Sequence, residues 1–271
     1  MKPKKSLGQN FLTSTGAVET ILDAGDVMGE DTILEIGPGK GTLTKKLLEF
    51  AGKVIAVEKD DELFANLAEQ FKKEIKNKKL ELIHGDALNF NPKDFELKTH
   101  EYKLIANIPY NITGLIIRKF LEEKIQPEKM VLMVQKEVAM RIVAKNNKES
   151  ILSISVKAYG SPKYIQTVKA GSFFPIPNVD SAILLIENIS KDFFLSAQAG
   201  KSFSEEGFFK LVRAGFASKR KKLSSNLSVI VNKEKVKNAF KELKLDENTR
   251  AEDVTIENWK KIAEYLSKEE D

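Results

Sequence analysis

Residues 33–41 read Ile-Leu-Glu-Ile-Gly-Pro-Gly-Lys-Gly, and the helical pattern 42–50 follows at once. The apolar start predicts a buried strand. The glycines allow a tight turn in which the backbone approaches a ligand without an intervening Cβ. Strand, glycine loop and helix in this order are typical of the opening of a nucleotide-binding βαβ unit. The stretch therefore predicts an α/β fold with a ligand site where this strand ends.

The acids that follow the loop indicate what the site binds. Glu58 ends the next apolar strand 21 positions after Gly37, where a ribose-binding carboxylate is expected. Asp86 follows the third strand and can accept a hydrogen bond from an adenine amino group. Each acid alone has the usual alternative of a solvated loop residue. As an ordered set with Gly37 and Gly39, they predict a cofactor that contains a nucleoside.

A fourth strand ends in Asn107-Ile108-Pro109-Tyr110, which suits the binding of a planar amine. The amide oxygen can accept from an exocyclic NH2, and the Tyr110 ring can stack on the base that carries it. This arrangement would free the nitrogen lone pair of adenine N6 for attack, and it predicts an N6-adenine methyltransferase. The alternative is an ordinary strand-end turn with an Asn cap and a Pro stop.

The glycine spacing narrows the choice of cofactor. It is G-x-G-x-G and not the G-x-G-x-x-G of dinucleotide enzymes, and His84 and His100 are the only histidines for proton transfer. S-adenosyl-L-methionine fits better, because it offers adenine and ribose but no phosphate. Lys40 then has no cofactor phosphate to reach.

Taken together, the motifs resemble the ribosomal RNA adenine dimethyltransferases of the KsgA type over nearly the whole chain. The matching positions are residues 6–12, 35–41, 107–110, 135–139 and 173–182, with Glu58, Asp86 and Arg141. The resemblance implies an α/β fold, with a seven-stranded Rossmann-like S-adenosylmethionine-dependent methyltransferase sheet and a small C-terminal all-helical domain. The cofactor contacts that it implies are Asn10, Leu12, Gly37, Glu58, Asp86 and Asn107. It also implies transfer of two methyl groups to N6 of each of two adjacent adenines in the 3′-terminal hairpin loop of small-subunit rRNA.

Phe173 is the second candidate ring of the base-binding slot. A base taken out of its stack needs a hydrophobic slot, and Tyr110 and Phe173 would supply its two faces. The pattern F-x-P-x-P selects Phe173 over Phe174, which follows directly. The alternative is that both are core aromatics in a proline-stiffened loop. With Asn107 and Tyr110, Phe173 completes the predicted catalytic set.

Composition excludes several classes of protein. The 271 residues are 42% hydrophobic and 31% charged, which suits a globular core, and they include no Cys and two separated His. Disulfides, thiolate zinc and other metal sites are therefore not expected. The basic start is not a secretion signal, and the apolar runs are too short to cross a membrane. We expect a cytoplasmic monomer.

The chain divides into two predicted domains, residues 1–188 for the cofactor and residues 189–271 for RNA. The strands are predicted at 32–36, 53–57, 80–84, 102–106, 129–134, 163–170 and 181–187, and the helices of the first domain at 17–27, 42–50, 61–76, 113–123 and 136–144. Residues 189–203 resemble a linker, and helical segments follow near 205–218, 219–230, 233–244 and 255–268. Net charge is +5, and Lys219, Arg220, Lys221 and Lys222 form a basic run without an acid. We expect this run to contact rRNA in the immature 30S-type subunit, although a solvated helix face is the usual alternative.

Three other functions stay open on the sequence. A large-subunit rRNA adenine methyltransferase of the antibiotic-resistance type shares the glycine loop and the Asn-Ile-Pro-Tyr turn. A non-catalytic ribosome assembly factor could keep the fold, and a dinucleotide dehydrogenase is a more distant alternative. Gly8, the ending Val179-Asp180-Ser181-Ala182 and the pattern around Arg220 favour the small-subunit enzyme.

Overall fold

The computed structural model describes residue 4, residues 8–195 and residues 203–267. Ser6 and Leu7 of the opening motif and residues 268–271 lie outside the described residues. Contacts divide the chain into two compact units: Met1–Ala139 with Ser161–Ile189, and Met140–Gly160 with Ser190–Asp271. This division differs from the predicted one in residues 140–160, which the prediction assigned to the first domain.

The first unit contains the strands and the helices that cover them. The strands are β1 (Phe11–Leu12), β2 (Thr32–Ile36), β3 (Lys53–Glu58), β4 (Leu80–His84), β5 (Lys103–Asn107), β6 (Met130–Gln135), β7 (Ser161–Val168), β8 (Phe173–Phe174) and β9 (Ser181–Glu187). The helices are α1 (Thr15–Gly25), α2 (Thr42–Phe50), α3 (Asp61–Gln70), α4 (Lys72–Lys76), α5 (Thr113–Glu122) and α6 (Lys136–Ile142), the last of which crosses the boundary between the units.

Seven strands form one sheet in the order β4-β3-β2-β5-β6-β9-β7. The pairs among β4, β3, β2, β5 and β6 are parallel, whereas β9 is antiparallel to both β6 and β7. Parallel neighbours need crossover connections, and the helices between the strands supply them. The predicted seven-stranded Rossmann-like sheet is confirmed.

The inner strands β2, β3, β5, β6 and β9 are buried on both faces, as their near-continuous apolar sequences require. Alternate strand residues, among them Ile33, Ile105 and Val131, join α1 and α2 in one core cluster. The intervening residues Leu34 and Leu104 are also fully buried, and by the alternation of the strand they face the opposite side. This packing fixes the carboxyl ends of β2, β3, β4 and β5 along one edge, where the predicted site residues lie.

The glycine loop between β2 and α2 has the conformation that the sequence predicts. Gly37 and Gly39 have φ of 65° and 62°, a region that side chains with a Cβ rarely adopt. A Cβ on Gly39 would also lie 3.0 Å from the Phe11 ring. Only glycine at position 39 therefore lets the loop pass this close to Phe11.

A second, two-stranded sheet was not predicted. β1 pairs with β8 in antiparallel register, which joins Phe11 to Phe174 and Leu12 to Phe173. Thr13 extends the pairing, because both its N–H and its hydroxyl donate to the carbonyl of Ser172, at 2.8 and 2.9 Å. The start of the described chain is thus tied to the proline loop that carries Phe173.

The second unit contains helices joined by turns and loops, with no strand among its described residues. Its helices are α7 (Ile151–Lys157), α8 (Asp192–Leu195), α9 (Glu205–Gly215), α10 (Leu223–Leu227), α11 (Lys233–Glu242) and α12 (Ile256–Leu266). Trp259 is fully buried, and a Cβ on Gly215 would come within 2.4 Å of its ring. Part of the predicted linker is ordered, because Phe194 and Phe203 are buried there, and residues 196–202 lie outside the described residues. No helix in the described part is long and apolar enough to cross a membrane.

Candidate cofactor and base site

A cavity of about 260 Å³ opens at the carboxyl edge of the sheet in the first unit. Its walls come from the glycine loop, the ends of β3, β4 and β5, and residues 8–12, which we call the N-terminal strap. Every predicted cofactor residue lies in these walls, together with one predicted aromatic residue: Asn10, Leu12, Gly37, Gly39, Glu58, Asp86, Asn107 and Tyr110.

Glu58 is the acid of the cavity best suited to accept hydrogen bonds from ribose hydroxyls. Its carboxylate is buried and accepts the N–H of Gly39 at 3.1 Å and the N–H of Asp60 at 2.9 Å. Burial raises the pKa of Glu58, and these backbone donors oppose the rise. Each carboxylate oxygen has two acceptor positions, so both oxygens can still accept a hydroxyl. A diol donor would satisfy the remaining acceptors of this buried group.

Asp86 follows the end of β4 and also lies in the cavity wall. One oxygen accepts the N–H of Leu88 at 2.9 Å, and the other pairs with Lys59 at 2.8 Å. The hydrogen bond from Lys59 holds the pKa of Asp86 below its ordinary value. An ionised carboxylate at this position suits the predicted role as an acceptor from an amino group.

Asn107 is oriented by the strap. Its Nδ2 donates to the backbone carbonyl of Asn10 at 2.9 Å. No hydrogen bond to its Oδ1 occurs among the described residues. Because the donor end of the amide is engaged, the acceptor end is left to a ligand in the cavity. Sequence alone predicted the acceptor role of Asn107, but not the strap contact that orients the amide.

Tyr110 follows in a short 3₁₀ turn, residues Tyr110–Ile112, and is partly buried. Its hydroxyl lies 2.6 Å from Oγ of Ser181 on β9. Burial raises the pKa of Tyr110, so the phenol stays neutral at physiological pH. The hydroxyl contact anchors one end of the ring and leaves the rest of the residue in the cavity wall.

The expected position of Phe173 needs correction. Phe173 is 2% exposed, belongs to the core cluster and is absent from the cavity wall, because the β1–β8 pairing sets it beside Leu12. The exposed ring of this loop is Phe174, at 54%. Lys40, which lines the cavity, places its Nζ 5.3 Å from the centre of that ring. Phe174 is not part of the cavity wall either, so its link to the site is this contact with Lys40.

Glu35 is a site residue to which the sequence reasoning gave no role. It is 1% exposed, lies in the cavity wall, and its Oε2 has no hydrogen-bond partner within the described part of the chain. Burial raises the pKa of Glu35 to about 8, and the nearby Glu58 carboxylate adds to the rise. The sequence did contain a sign of this role, because Glu35 is an acid within an apolar strand. Acids are seldom fully buried unless they have a partner.

In the second unit, residues 219–222 form an exposed turn, which we call the basic turn. No ion pair to its four cations occurs within residues 203–267. Asn226 stabilises the backbone that leads into the turn, because its Nδ2 donates to the carbonyls of Gly215 and Ser218 at 2.6 and 3.0 Å. The predicted RNA-binding residues Lys219, Arg220, Lys221 and Lys222 are therefore accessible, and no carboxylate of the described residues is paired with them.

The cavity fits S-adenosylmethionine. Glu58 and Asp86 offer acceptors for a ribose and an amino group, and the unpartnered Glu35 oxygen offers a further acceptor for an amine of the cofactor. Among the residues of the cavity wall, Lys40 and Lys59 are the only cations, and Lys59 is paired with Asp86. No group of three or more His, Cys, Asp or Glu suited to a metal occurs among the described residues. Fold and site together define a Rossmann-like S-adenosylmethionine-dependent methyltransferase.

Comparison with known proteins gives the family. The family described as ribosomal RNA adenine dimethylase matches residues 1–268, and the chain belongs to it. A ribosomal RNA small subunit methyltransferase A of Dehalococcoides mccartyi (strain BAV1) is 42% identical over 97% of this chain and 88% of its own length. A protein of the same name from Clostridium botulinum (strain Okra) is 38% identical over 98% of this chain and 94% of its own length.

Two solved structures share the fold. A dimethyladenosine transferase from Plasmodium falciparum has a TM-score of 0.78 at 27% identity, over 93% of this chain and 95% of its own. The 23S rRNA methyltransferase ErmE has a TM-score of 0.74 at 22% identity, over 96% of this chain and all of its own, which shows the fold alone. The predicted family and its cofactor, S-adenosylmethionine, are confirmed.

Proposed function

We propose that this enzyme dimethylates N6 of two adjacent adenines in the 3′-terminal hairpin loop of small-subunit rRNA. The observation that carries the proposal is how the Asn107 amide is hydrogen-bonded. Its nitrogen donates to the backbone carbonyl of Asn10, and its oxygen keeps an acceptor position in the cavity. An exocyclic adenine amine is a donor of the right kind for that oxygen. The relatives named small subunit methyltransferase A support the choice of rRNA.

The chain's own residues would act mainly by positioning. Bound S-adenosylmethionine supplies an electrophilic methyl group on a positively charged sulfur. Asn107 would hold the amine with its lone pair directed at the reacting carbon, and the Tyr110 ring would stack on the base. Alignment of this kind contributes more than proton transfer does, because the methylated nitrogen is acidic enough to lose its proton to water. The described cavity wall contains no histidine that would serve as a base.

The basic turn would contact the rRNA backbone in an immature 30S-type subunit. Four exposed cations without an acid can each replace a counterion on the phosphates. Binding should then weaken steeply as salt is raised. A cytoplasmic monomer is the form in which we expect the enzyme to meet this substrate.

The deciding experiment uses labelled S-adenosylmethionine with two substrates. The enzyme is incubated with small subunits from cells that lack this methyltransferase and, separately, with large-subunit rRNA, and the methylated nucleotides are mapped. Incorporation at two adjacent adenines of the small subunit is the expected result. Incorporation into large-subunit rRNA alone would identify the antibiotic-resistance type of activity. Cofactor binding without transfer to either RNA would favour an assembly factor.

A further inference from the structure

We propose that Asp60 is a positioning residue that fastens the N-terminal strap across the cavity and thereby keeps S-adenosylmethionine in its site. The inference rests on the proposed function of the cavity and names a residue outside the predicted set. Its basis is a group of hydrogen bonds that meet at the Asp60 carboxylate.

The strap is held at three places along its length. At its end, β1 pairs with β8, and at its middle the carbonyl of Asn10 accepts from Asn107. At its start, Nε2 of Gln9 donates to Oδ2 of Asp60 at 3.2 Å, and Nζ of Lys4 lies 2.9 Å from the same oxygen. Gln9 also accepts the N–H of Lys4 at 2.7 Å, so the two donors form one unit.

The two oxygens of Asp60 have separate tasks. Oδ1 accepts the N–H groups of Glu62 and Leu63 at 3.0 and 3.1 Å, which caps α3. Oδ2 takes no part in the cap and faces Lys4 and Gln9. A helix cap needs only one side-chain oxygen. The second oxygen, on a residue that is 3% exposed, is therefore available to hold the strap.

The same residue also supports the ribose-binding acid, but through its backbone. The N–H of Asp60 donates to Oε1 of Glu58, so a change of the Asp60 side chain leaves this bond in place. Burial favours the neutral carboxyl, yet hydrogen bonds from Lys4, Leu63 and Gln9 bring the pKa of Asp60 below its ordinary value. An ionised Asp60 is thus the form that holds the strap.

A strap that is fastened at its start spends more time closed. When a ligand is retained only by the closed form, its apparent affinity scales with the closed fraction. Loss of the Asp60 contact should therefore weaken cofactor binding and speed its release, without changing the residues that touch the ribose.

The test uses Asp60→Asn, which keeps Oδ1 and replaces Oδ2 with a donor that opposes the donors of Lys4 and Gln9. We expect the Kd for S-adenosylmethionine to rise about tenfold, equivalent to about 1.4 kcal/mol. Hydrogen exchange of residues 8–12 in the presence of cofactor should become faster. The melting temperature of the cofactor-free protein should stay close to that of the wild type, because the cap oxygen remains.

Two further variants make the test specific. In Gln9→Glu/Asp60→Asn, the new Asn amide can donate to the new Glu, and much of the lost affinity should return. Asp61→Asn is the matched control, because Asp61 is the exposed neighbour whose carboxylate contacts His84 and not the strap. It should bind S-adenosylmethionine as the wild type does.

The outcomes separate the inference from the proposed function. Asp60→Asn with wild-type affinity and wild-type exchange of the strap would overturn the inference, as would equal weakening in the double variant. If Asp60→Asn does not fold, Gln9→Leu takes its place, since it removes the strap donor and leaves the cap intact. Undiminished affinity in Gln9→Leu would then overturn the inference. A wild-type enzyme that failed to bind the cofactor would instead refute the proposed function.

Discussion

The most quantitative expectation concerns Glu35 and pH. This carboxyl has a pKa of about 8 in the folded protein, against 4.5 for the exposed group, because burial disfavours the charged form. Between these two values the folded state binds a proton that the unfolded state has released. Stability therefore falls as the pH rises through this window, and the loss is complete above about pH 8.

The size of the effect follows from linkage. With those two pKa values, the Glu35 contribution to the free energy of unfolding falls by roughly 2–3 kcal/mol between about pH 6 and about pH 9. In a protein of this size, each kcal/mol moves the melting temperature by about 2–4 °C. We therefore expect a Glu35-dependent decrease of roughly 5–10 °C over this range.

The assay compares the wild type with Glu35→Gln by thermal unfolding across the pH range. Glutamine has the shape of the protonated carboxyl but does not titrate, so the variant should match the wild type only below about pH 4.5 and should exceed it by a margin that grows from pH 6 to pH 9. The difference between the two curves isolates Glu35 from Glu58, whose pKa burial also raises. Parallel curves would refute the reasoning, because they would mean that Glu35 is already ionised in the fold.

Five other substitutions test the site and the RNA surface. Asn107→Ala should lower kcat by about 10²–10³-fold with little change in the melting temperature, since it removes a preorganised polar contact; a near-normal kcat would exclude the role. Phe174→Ala should lower kcat/KM by the loss of about 1–3 kcal/mol of stacking, whereas Phe173→Ala should lower the free energy of unfolding by about 3–5 kcal/mol. The reverse pattern would restore Phe173 as the stacking ring. Lys219→Gln and Lys221→Gln should each reduce the slope of log K against log salt by about one, with Lys76→Gln, in the first unit, as the unaffected control.

The elements that the sequence predicted well are those in which apolar residues recur with a clear period. β2, β4 and β9 begin and end where the alternation and the flanking glycines or acids placed them, and α2 matches its predicted limits. Glu58 ends β3, Asp86 follows β4 and Asn107 ends β5, so these residues of the cavity also followed from local patterns. Parallel strands bring their carboxyl ends together without further information.

The short pairing of β1 with β8 lay beyond such reasoning. Two-residue strands have no period, and their partners are far apart in the chain. A shift of one residue exchanges the two faces of a strand. Which of Phe173 and Phe174 is exposed therefore depends on the register with Phe11 and Leu12, and the motif spacing favoured the ring that the structure buries.

Residues 140–160 differ from the prediction for a related reason. α7 begins with a capping box between Ser150 and Ser153, yet its seven residues are too few to give a convincing helical period. That this segment belongs to the second unit depends on contacts with residues much later in the chain. Such contacts leave no trace in local composition.

The hydrogen bond between Asn107 and Asn10 joins two functions that the sequence treats as separate. The strap covers the cofactor cavity, and its carbonyl also fixes the amide that would receive the target amine. Because the acceptor is a backbone carbonyl, no side-chain change at Asn10 can remove it directly. While Asn107 is present, a displaced strap breaks the bond, and then Nδ2 and Oδ1 of Asn107 can exchange places by rotation. An open strap would therefore lower both cofactor retention and the alignment of the amine, so we expect a base to be held for methyl transfer only while the strap covers the cofactor site.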